Sequence, residues 1–200
     1  MESIADEKHV IDIVRRIKDR VPKLSDETGK NTTSGKPEYS IAVGRLWEEY
    51  GKDQENADEW KLCAGRYHPH PEEKHGEYLV DFILFEEGYG ARIACESEWG
   101  KNGGDVEWDF DKLVGVKADI KVLIYECPDS KLLENLRERC LANNALVSPD
   151  EAFVFVRFDG SDIEARWWHP SRQGPFEASE IEVEPLIGIE GVVKDTPVAS

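Results

Sequence analysis

Two acidic residues sit inside apolar, strand-forming runs: Asp81 between Val80 and Phe82, and Glu96 directly after Cys95. A carboxylate in such a setting is costly unless it takes a proton, pairs with a cation or binds a metal. Side chains alternate along a strand, so Leu79, Asp81, Ile83 and Phe85 share one face of a first strand. Arg92, Ala94, Glu96 and Glu98 share one face of a second. With Gly88-Tyr89 as a two-residue turn, Asp81 stands directly across from Glu96, and a turn longer or shorter by one residue breaks the pairing. Like charges opposed on a sheet repel. The pair therefore needs a divalent cation, a lysine or arginine, or a shared proton. Oxygen-only ligands suit Mg²⁺, Mn²⁺ or Ca²⁺. The plainer reading is an edge hairpin whose acids are solvated.

The elements around this hairpin follow from periodicity. Ile4, Val10, Ile11, Val14, Ile17 and Val21 recur at helical spacing, which predicts a helix over residues 4–20 that Pro22 helps to end. Residues 23–38 are polar and turn-rich and read as an exposed, flexible loop. A second helix is expected from Ile41 to Tyr50 and a short strand over Lys61–Tyr67. Tyr78–Phe85 and Ala91–Trp99 are the strands of the acidic hairpin. After the loop Lys101-Asn102-Gly103-Gly104, Asp105 is the expected N-cap of a helix that turns Val106, Phe110, Leu113 and Val114 inward. Lys121–Tyr125 reads as a strand buried on both faces. A helix over Ser130–Asn143 follows, then strands Ala152–Phe158 and Ile163–Trp168 around the turn Asp159-Gly160-Ser161-Asp162. A last strand is expected over Ile181–Ile189, with residues 191–200 as a tail. The order is that of an α/β protein: a mixed central sheet flanked by helices, with extra C-terminal strands, in a single domain over residues 1–200.

Composition limits the functions available. The chain has 200 residues, a net charge of −17 and a pI near 4.7. That charge argues against a general nucleic-acid coat protein, which needs a basic surface. It leaves open a metal-dependent enzyme, whose ions bring positive charge with them. Cys63, Cys95, Cys127 and Cys140 form no CxxC pair and read as thiols of a cytoplasmic protein. The first seven residues have neither the basic nor the apolar region of a secretory signal, and no apolar run is long enough to span a membrane.

The runs Tyr78-Leu79-Val80-Asp81, Cys95-Glu96-Ser97-Glu98, Asp109-Phe110-Asp111-Lys112-Leu113 and Val122-Leu123-Ile124-Tyr125 resemble the PD-(D/E)xK nuclease superfamily, also called the restriction-endonuclease-like fold. The resemblance covers roughly residues 61–126. It implies an αβββαβ core and metal-dependent hydrolysis of nucleic-acid phosphodiesters, with DNA favoured as substrate and Mg²⁺ or Mn²⁺ as cofactor; oligomeric state is open, a homodimer being the common arrangement of soluble oligomers. Asp81 matches the first metal-binding Asp, and Glu96 the acid of (D/E)xK. The Ser97 carbonyl would complete the metal shell. Glu98 stands where the motif has lysine, a departure. In some members that lysine migrates to the following helix, which is where Lys112 lies. Lys112 would then offset developing negative charge or orient the water, and Glu98 would be a second metal ligand or water acceptor. A Glu on the first core helix sometimes joins such sites, and Glu48 or Glu49 could serve. The alternative is a catalytically inactive member of the fold that acts as a protein-interaction module, which the −17 charge and Glu98 favour.

Other motifs carry less. His68, His70 and His75 have a loose zinc-like spacing broken by prolines and read as a polar loop. Trp167-Trp168-His169-Pro170 could stack on bases, but such pairs more often pack on a core. Arg15, Arg16, Lys18 and Arg20 interleave with Asp12 and Asp19 and read as a solvated helix face. Arg66, Lys74, Arg92 and Lys101 join Lys112 as the basic residues expected around the acidic site.

Overall fold

The computed structural model describes residues 4–28, 37–65, 69, 79–129, 131–143, 146–159, 162–170 and 179–180. Two helices lead, α1 (Glu7–Thr28) and α2 (Pro37–Lys52). Strands β1 (Trp60–Ala64), β2 (Phe82–Glu86) and β3 (Gly90–Glu98) follow. Helix α3 (Gly103–Gly115) leads to β4 (Ile120–Tyr125), and α4 (Leu132–Ala142) to β5 (Ala152–Asp159), β6 (Asp162–Trp168) and the two-residue β7 (Ser179–Glu180). The strands lie in chain order across one mixed sheet. β1, β2 and β3 are antiparallel, β3, β4 and β5 are parallel, and β6 and β7 return antiparallel. The two parallel steps are the ones with a helix between the strands, as a parallel crossover requires.

The sheet separates two cores. On one face Val10, Ile13, Val14 and Ile17 of α1 and Val43, Leu46 and Trp47 of α2 pack against Phe82, Leu84, Ile93, Cys95, Val122 and Val154. On the other, Val106, Phe110 and Leu113 of α3 and Leu132 and Leu136 of α4 pack against Ile83, Ala94, Leu123, Phe153 and Phe155. The alternation of neighbouring residues between cores is the period-2 signature of a strand buried on both sides. Every residue of β4 is buried.

Several local expectations are corrected. Pro22 lies inside α1, which runs on to Thr28. The buried stripe from Val10 to Val21 packs on α2, and tertiary packing overrides the local proline signal. The loop expected over residues 23–38 is helical at both ends, where α1 finishes and Pro37 opens α2. Proline is pre-shaped for a first helical turn. Residues 29–36 lie outside the described residues. So do Arg66, Lys74, the three histidines His68, His70 and His75, the strand expected over Ile181–Ile189 and the tail. Asp105 does not cap α3. Asn102 does, its side chain accepting from the Gly104 N–H at 3.1 Å. Trp167 and Trp168 are buried in opposite cores, 8% and 5% exposed, so neither presents a face for a base. The four cysteines are free thiols. Among the described residues no helix is long and apolar enough to cross a membrane.

Candidate functional site

The hairpin of β2 and β3 turns through three residues, Glu87-Gly88-Tyr89, not through Gly88-Tyr89 alone, because Glu86 pairs with Gly90. Gly88 and Gly90 have φ of 82° and 94°, a backbone region that glycine enters without a Cβ penalty. Left uncorrected, this turn would shift every later pair by one. A bulge restores the register: Phe85 pairs with Ala91 but Leu84 pairs with Ile93, so Arg92 is the extra residue. Beyond the bulge Ile83 pairs with Ala94 and Phe82 with Cys95, as the expected register requires. Asp81 follows at a bend just before β2 begins, so it caps the hairpin instead of lying within the strand. The bulge also removes Arg92 from the Ala94–Glu96 face. Its guanidinium pairs with Glu86 at 3.0 Å and Asp119 at 2.8 Å and borders a cavity with Ile4, His9 and Trp60.

Three elements bring the expected site residues together. Ser97 of β3 donates to Asp81 Oδ2 through its backbone N–H at 3.1 Å and its hydroxyl at 3.0 Å. The Ser97 hydroxyl also lies 3.2 Å from that of Ser40 on α2, and Ser40 accepts from Trp99 Nε1 at 3.1 Å. Glu96 is 1% exposed and lies on the α3 face of the sheet, with its Oε1 2.5 Å from Lys112 Nζ. The same ammonium reaches Asp109 Oδ1 at 2.7 Å, one helical turn back. Glu98 is half-buried and accepts from the Gly100 N–H.

Asp109 and Ser40 were not assigned roles by sequence reasoning. Asp109 had a signal, its i,i+3 spacing from Lys112. Ser40 had none, because its importance depends on how α2 crosses the sheet. Glu48 and Glu49, the α2 candidates, pair instead with Lys52 at 2.5 Å and Arg20 at 2.8 Å. Arg16 pairs with Asp12 and Asp53. Lys101 lies 3.8 Å from Glu126 and is largely exposed.

The electrostatics are those of crowded acids around one cation. Burial pushes the Glu96 carboxyl up to about 9, with Asp81 and Asp109 adding repulsion and Lys112 opposing them. Burial also raises Asp81, against the two hydrogen bonds from Ser97. It raises Glu98, with Asp109, Asp105 and Asp81 adding repulsion against the Gly100 N–H. Lys112 is held above its ordinary value: burial lowers it, but Asp109 and Glu96 more than compensate.

The sign of the Glu96 shift gives a stability prediction. Above its ordinary value near 4.5 and below about 9, the folded protein holds a proton that the unfolded chain has released. Stability contributed by this group is therefore full below the unfolded value and falls as pH rises toward about 9. Thermal melts from about pH 5 to about pH 9 should show that fall, and Glu96→Gln should remove most of its slope.

Gly100 offers a test of Glu98. A Cβ on Gly100 would stand 2.6 Å from Glu98 Oε1, so Gly100→Ala must push that carboxylate aside. The displaced group is the end of a flexible side chain. Melting temperature should change little, and any activity that depends on Glu98 should fall with the substitution.

Among the described residues no three His, Cys, Asp or Glu side chains converge as a ready-made metal cage. What the site offers is a pair of carboxylates, with a lysine bound to one of them. No family model, curated protein or solved structure matches this chain. The functional reading therefore rests on the geometry and chemistry of these residues.

Proposed function

We propose that this protein is a divalent-cation-dependent nuclease, hydrolysing phosphodiester bonds of nucleic acid with DNA favoured, and a divergent member of the PD-(D/E)xK superfamily with a restriction-endonuclease-like core. The observation that carries the reading is that Asp81, at the bend before β2, is held by Ser97 next to Glu96 of β3, whose carboxylate meets Lys112 of α3. The element order supports it: a helix, three antiparallel strands, a crossover helix and a parallel fourth strand.

The donor set suits Mg²⁺ or Mn²⁺. All the candidate ligands are oxygens: Asp81, Glu96 and the Ser97 carbonyl. Mg²⁺ keeps several waters and takes one or two protein carboxylates together with substrate phosphate, so an all-protein cage is not required. Asp81, Glu96 and Asp109 outnumber the single Lys112 ammonium by two charges when ionised, the deficit a divalent ion fills. When bound, such an ion polarises the phosphoryl oxygen and lowers the pKa of its water.

The chain's own residues do the rest. Ser97 aims Asp81 through two hydrogen bonds, backed by Ser40 and Trp99. Lys112 stands beside Glu96, where an ammonium offsets charge growing on a phosphate. Asp109 holds Lys112 in place when Glu96 turns to an ion. Glu98 is a base or water acceptor at the rim.

A second reading is favoured by the net charge of −17 and by Glu98. Glu98 occupies the motif's lysine position, so an inactive, protein-binding member of the fold is the alternative. Purified protein incubated with single-stranded DNA, duplex DNA and RNA separates the two. The nuclease reading expects cleavage with Mg²⁺ or Mn²⁺, none with chelator, and none from Asp81→Ala purified identically. Absence of cation-dependent cleavage across these substrates would support the second reading.

A further inference from the structure

A cavity of about 450 Å³ opens on the sheet face that carries Glu96 and Glu98, a size typical of small-ligand pockets. Its walls come from α4, β5 and β6, outside the αβββαβ core, and from Tyr125, the last residue of β4. Tyr125 pairs with Glu98 on one side and Arg157 on the other, and Arg157 pairs with Glu164. These four residues form one row across the sheet, on the face where Tyr125 joins the α3 and α4 core. Neighbouring strands lie about 4.8 Å apart, so Arg157 stands roughly 10 Å from the strand that carries Glu96 and Glu98. The row lies toward the carboxyl ends of the parallel strands, the edge at which open α/β sheets take ligands.

Tyr125 is 2% exposed yet lines this cavity, and among the described residues its hydroxyl has no hydrogen-bond partner. Burial pushes its phenol up to about 12, against Arg157 and Arg166, so it remains an O–H donor. Both arginines line the same cavity. So do Leu133 and Glu134 of the first turn of α4, a helix start with no side-chain cap. A helix N-terminus offers N–H donors and partial positive charge. The carboxylates on the wall leave these donors available. Asp129 accepts from the Lys131 N–H at 2.9 Å, and Glu134 is exposed. Glu164 holds Arg157 at 3.0 Å, with Asp159 at 3.8 Å, but its side chain is 56% exposed and an entering anion can displace it. We infer that this cavity is a phosphate subsite, in which Tyr125, Arg157 and Arg166 hold a phosphate of the substrate next to the one being cut. This rests on the nuclease reading and deepens it. A chain of net charge −17 cannot gather a polyanion over a broad basic surface and must grip it at built points.

Inorganic phosphate, titrated in chelator so that no cation takes it up, tests this by the rise in melting temperature. Wild type should show a saturable rise. Arg157→Ala and Tyr125→Phe should each weaken phosphate binding about tenfold, the scale of one hydrogen bond to a charged group. Without phosphate, Tyr125→Phe should melt as wild type does, because its hydroxyl holds nothing else. Glu164→Gln should bind phosphate more tightly, since the competing carboxylate is gone. In cleavage with Mn²⁺, Arg157→Ala and Tyr125→Phe should raise KM with kcat retained. No saturable rise in wild type, or equal phosphate affinity in the variants, would overturn the inference. So would a lower melting temperature of Tyr125→Phe without phosphate, which would make the hydroxyl part of the fold. Cleavage with KM unchanged in both variants removes this subsite and leaves the nuclease reading. Phosphate binding that depends on Arg157 and Tyr125, in a protein that cuts nothing under any cation, removes the nuclease reading and leaves an anion site.

Discussion

Asp81→Asn is expected to lower Mg²⁺- or Mn²⁺-dependent cleavage by roughly 100–1000-fold, the scale on which removal of one preorganised charge-stabilising group acts. The substitution keeps the shape of the side chain and an oxygen that can accept from Ser97, so the hydrogen bonds at 3.0 and 3.1 Å have a partner and the hairpin stays closed. What is lost is the negative charge. Because Asp81 repels Glu96, the same substitution should lower the Glu96 carboxyl from about 9. Melting temperature near neutral pH should therefore hold or rise while activity falls. A loss of activity with a matching loss of stability would mean that Asp81 is only a hairpin cap. Glu96→Gln should show the same large loss of cleavage, without additivity with Asp81→Asn, since both serve one ion.

Lys121→Met is expected to destabilise the protein by roughly 3–5 kcal/mol, the cost of leaving a buried charge without its partner. For a chain of this size that is a fall in Tm of roughly 10 °C. Lys121 is fully buried at the start of β4, its ammonium 2.9 Å from Glu151, whose side chain is 6% exposed. Burial lowers the Lys121 ammonium, and Glu151 works against that shift. The same ammonium donates to the Val114 carbonyl at 3.3 Å, one of the last carbonyls of α3, and lies 5.0 Å from the centre of the Phe153 ring. It thereby ties down the helix that carries Lys112. The double change Lys121→Met with Glu151→Gln should recover a large part of the loss, because neither charge is then stranded. Thermal and denaturant melts of the three variants check this. Equal stability of the single and double variants would show that the pair is not coupled.

The elements that periodicity specifies were legible in the sequence. Alternation along Ile83–Phe85 and Ile93–Cys95, the inner face of α3 and the doubly buried β4 are all present. The expected register from Phe82 to Ile83 is present, with Asp81 left at the bend just before it, for a reason the sequence hides. The turn is one residue longer than expected, and the bulge at Arg92 takes that residue back. Two local departures cancel, and only the sum is visible from the alternation on either side. Arg92 itself pays for this by changing face, so its expected place in the site was wrong.

What the sequence concealed depends on tertiary context. Pro22 carries a strong local stop signal, yet the α1–α2 contact carries the helix past it. Asp105 and Asn102 are both good caps, and only the backbone entry into α3 chooses Asn102. Ser40 reaches Ser97 across 57 positions of chain, a contact no spacing rule can show. Lys121 opens the strand that reads as buried on both faces, but its partner is not visible from the sequence. Its burial follows from Glu151, which the order of β4 and β5 brings beside it.

Mn²⁺ binding followed by electron paramagnetic resonance tests the central claim most directly, because it needs no substrate. The account predicts that wild-type protein removes free Mn²⁺ signal saturably, that Mg²⁺ competes, and that Asp81→Asn and Glu96→Gln each weaken binding at least about tenfold. Wild-type protein that leaves the free Mn²⁺ signal unchanged, or variants that bind as tightly as wild type, would contradict a cation site held by Asp81 and Glu96.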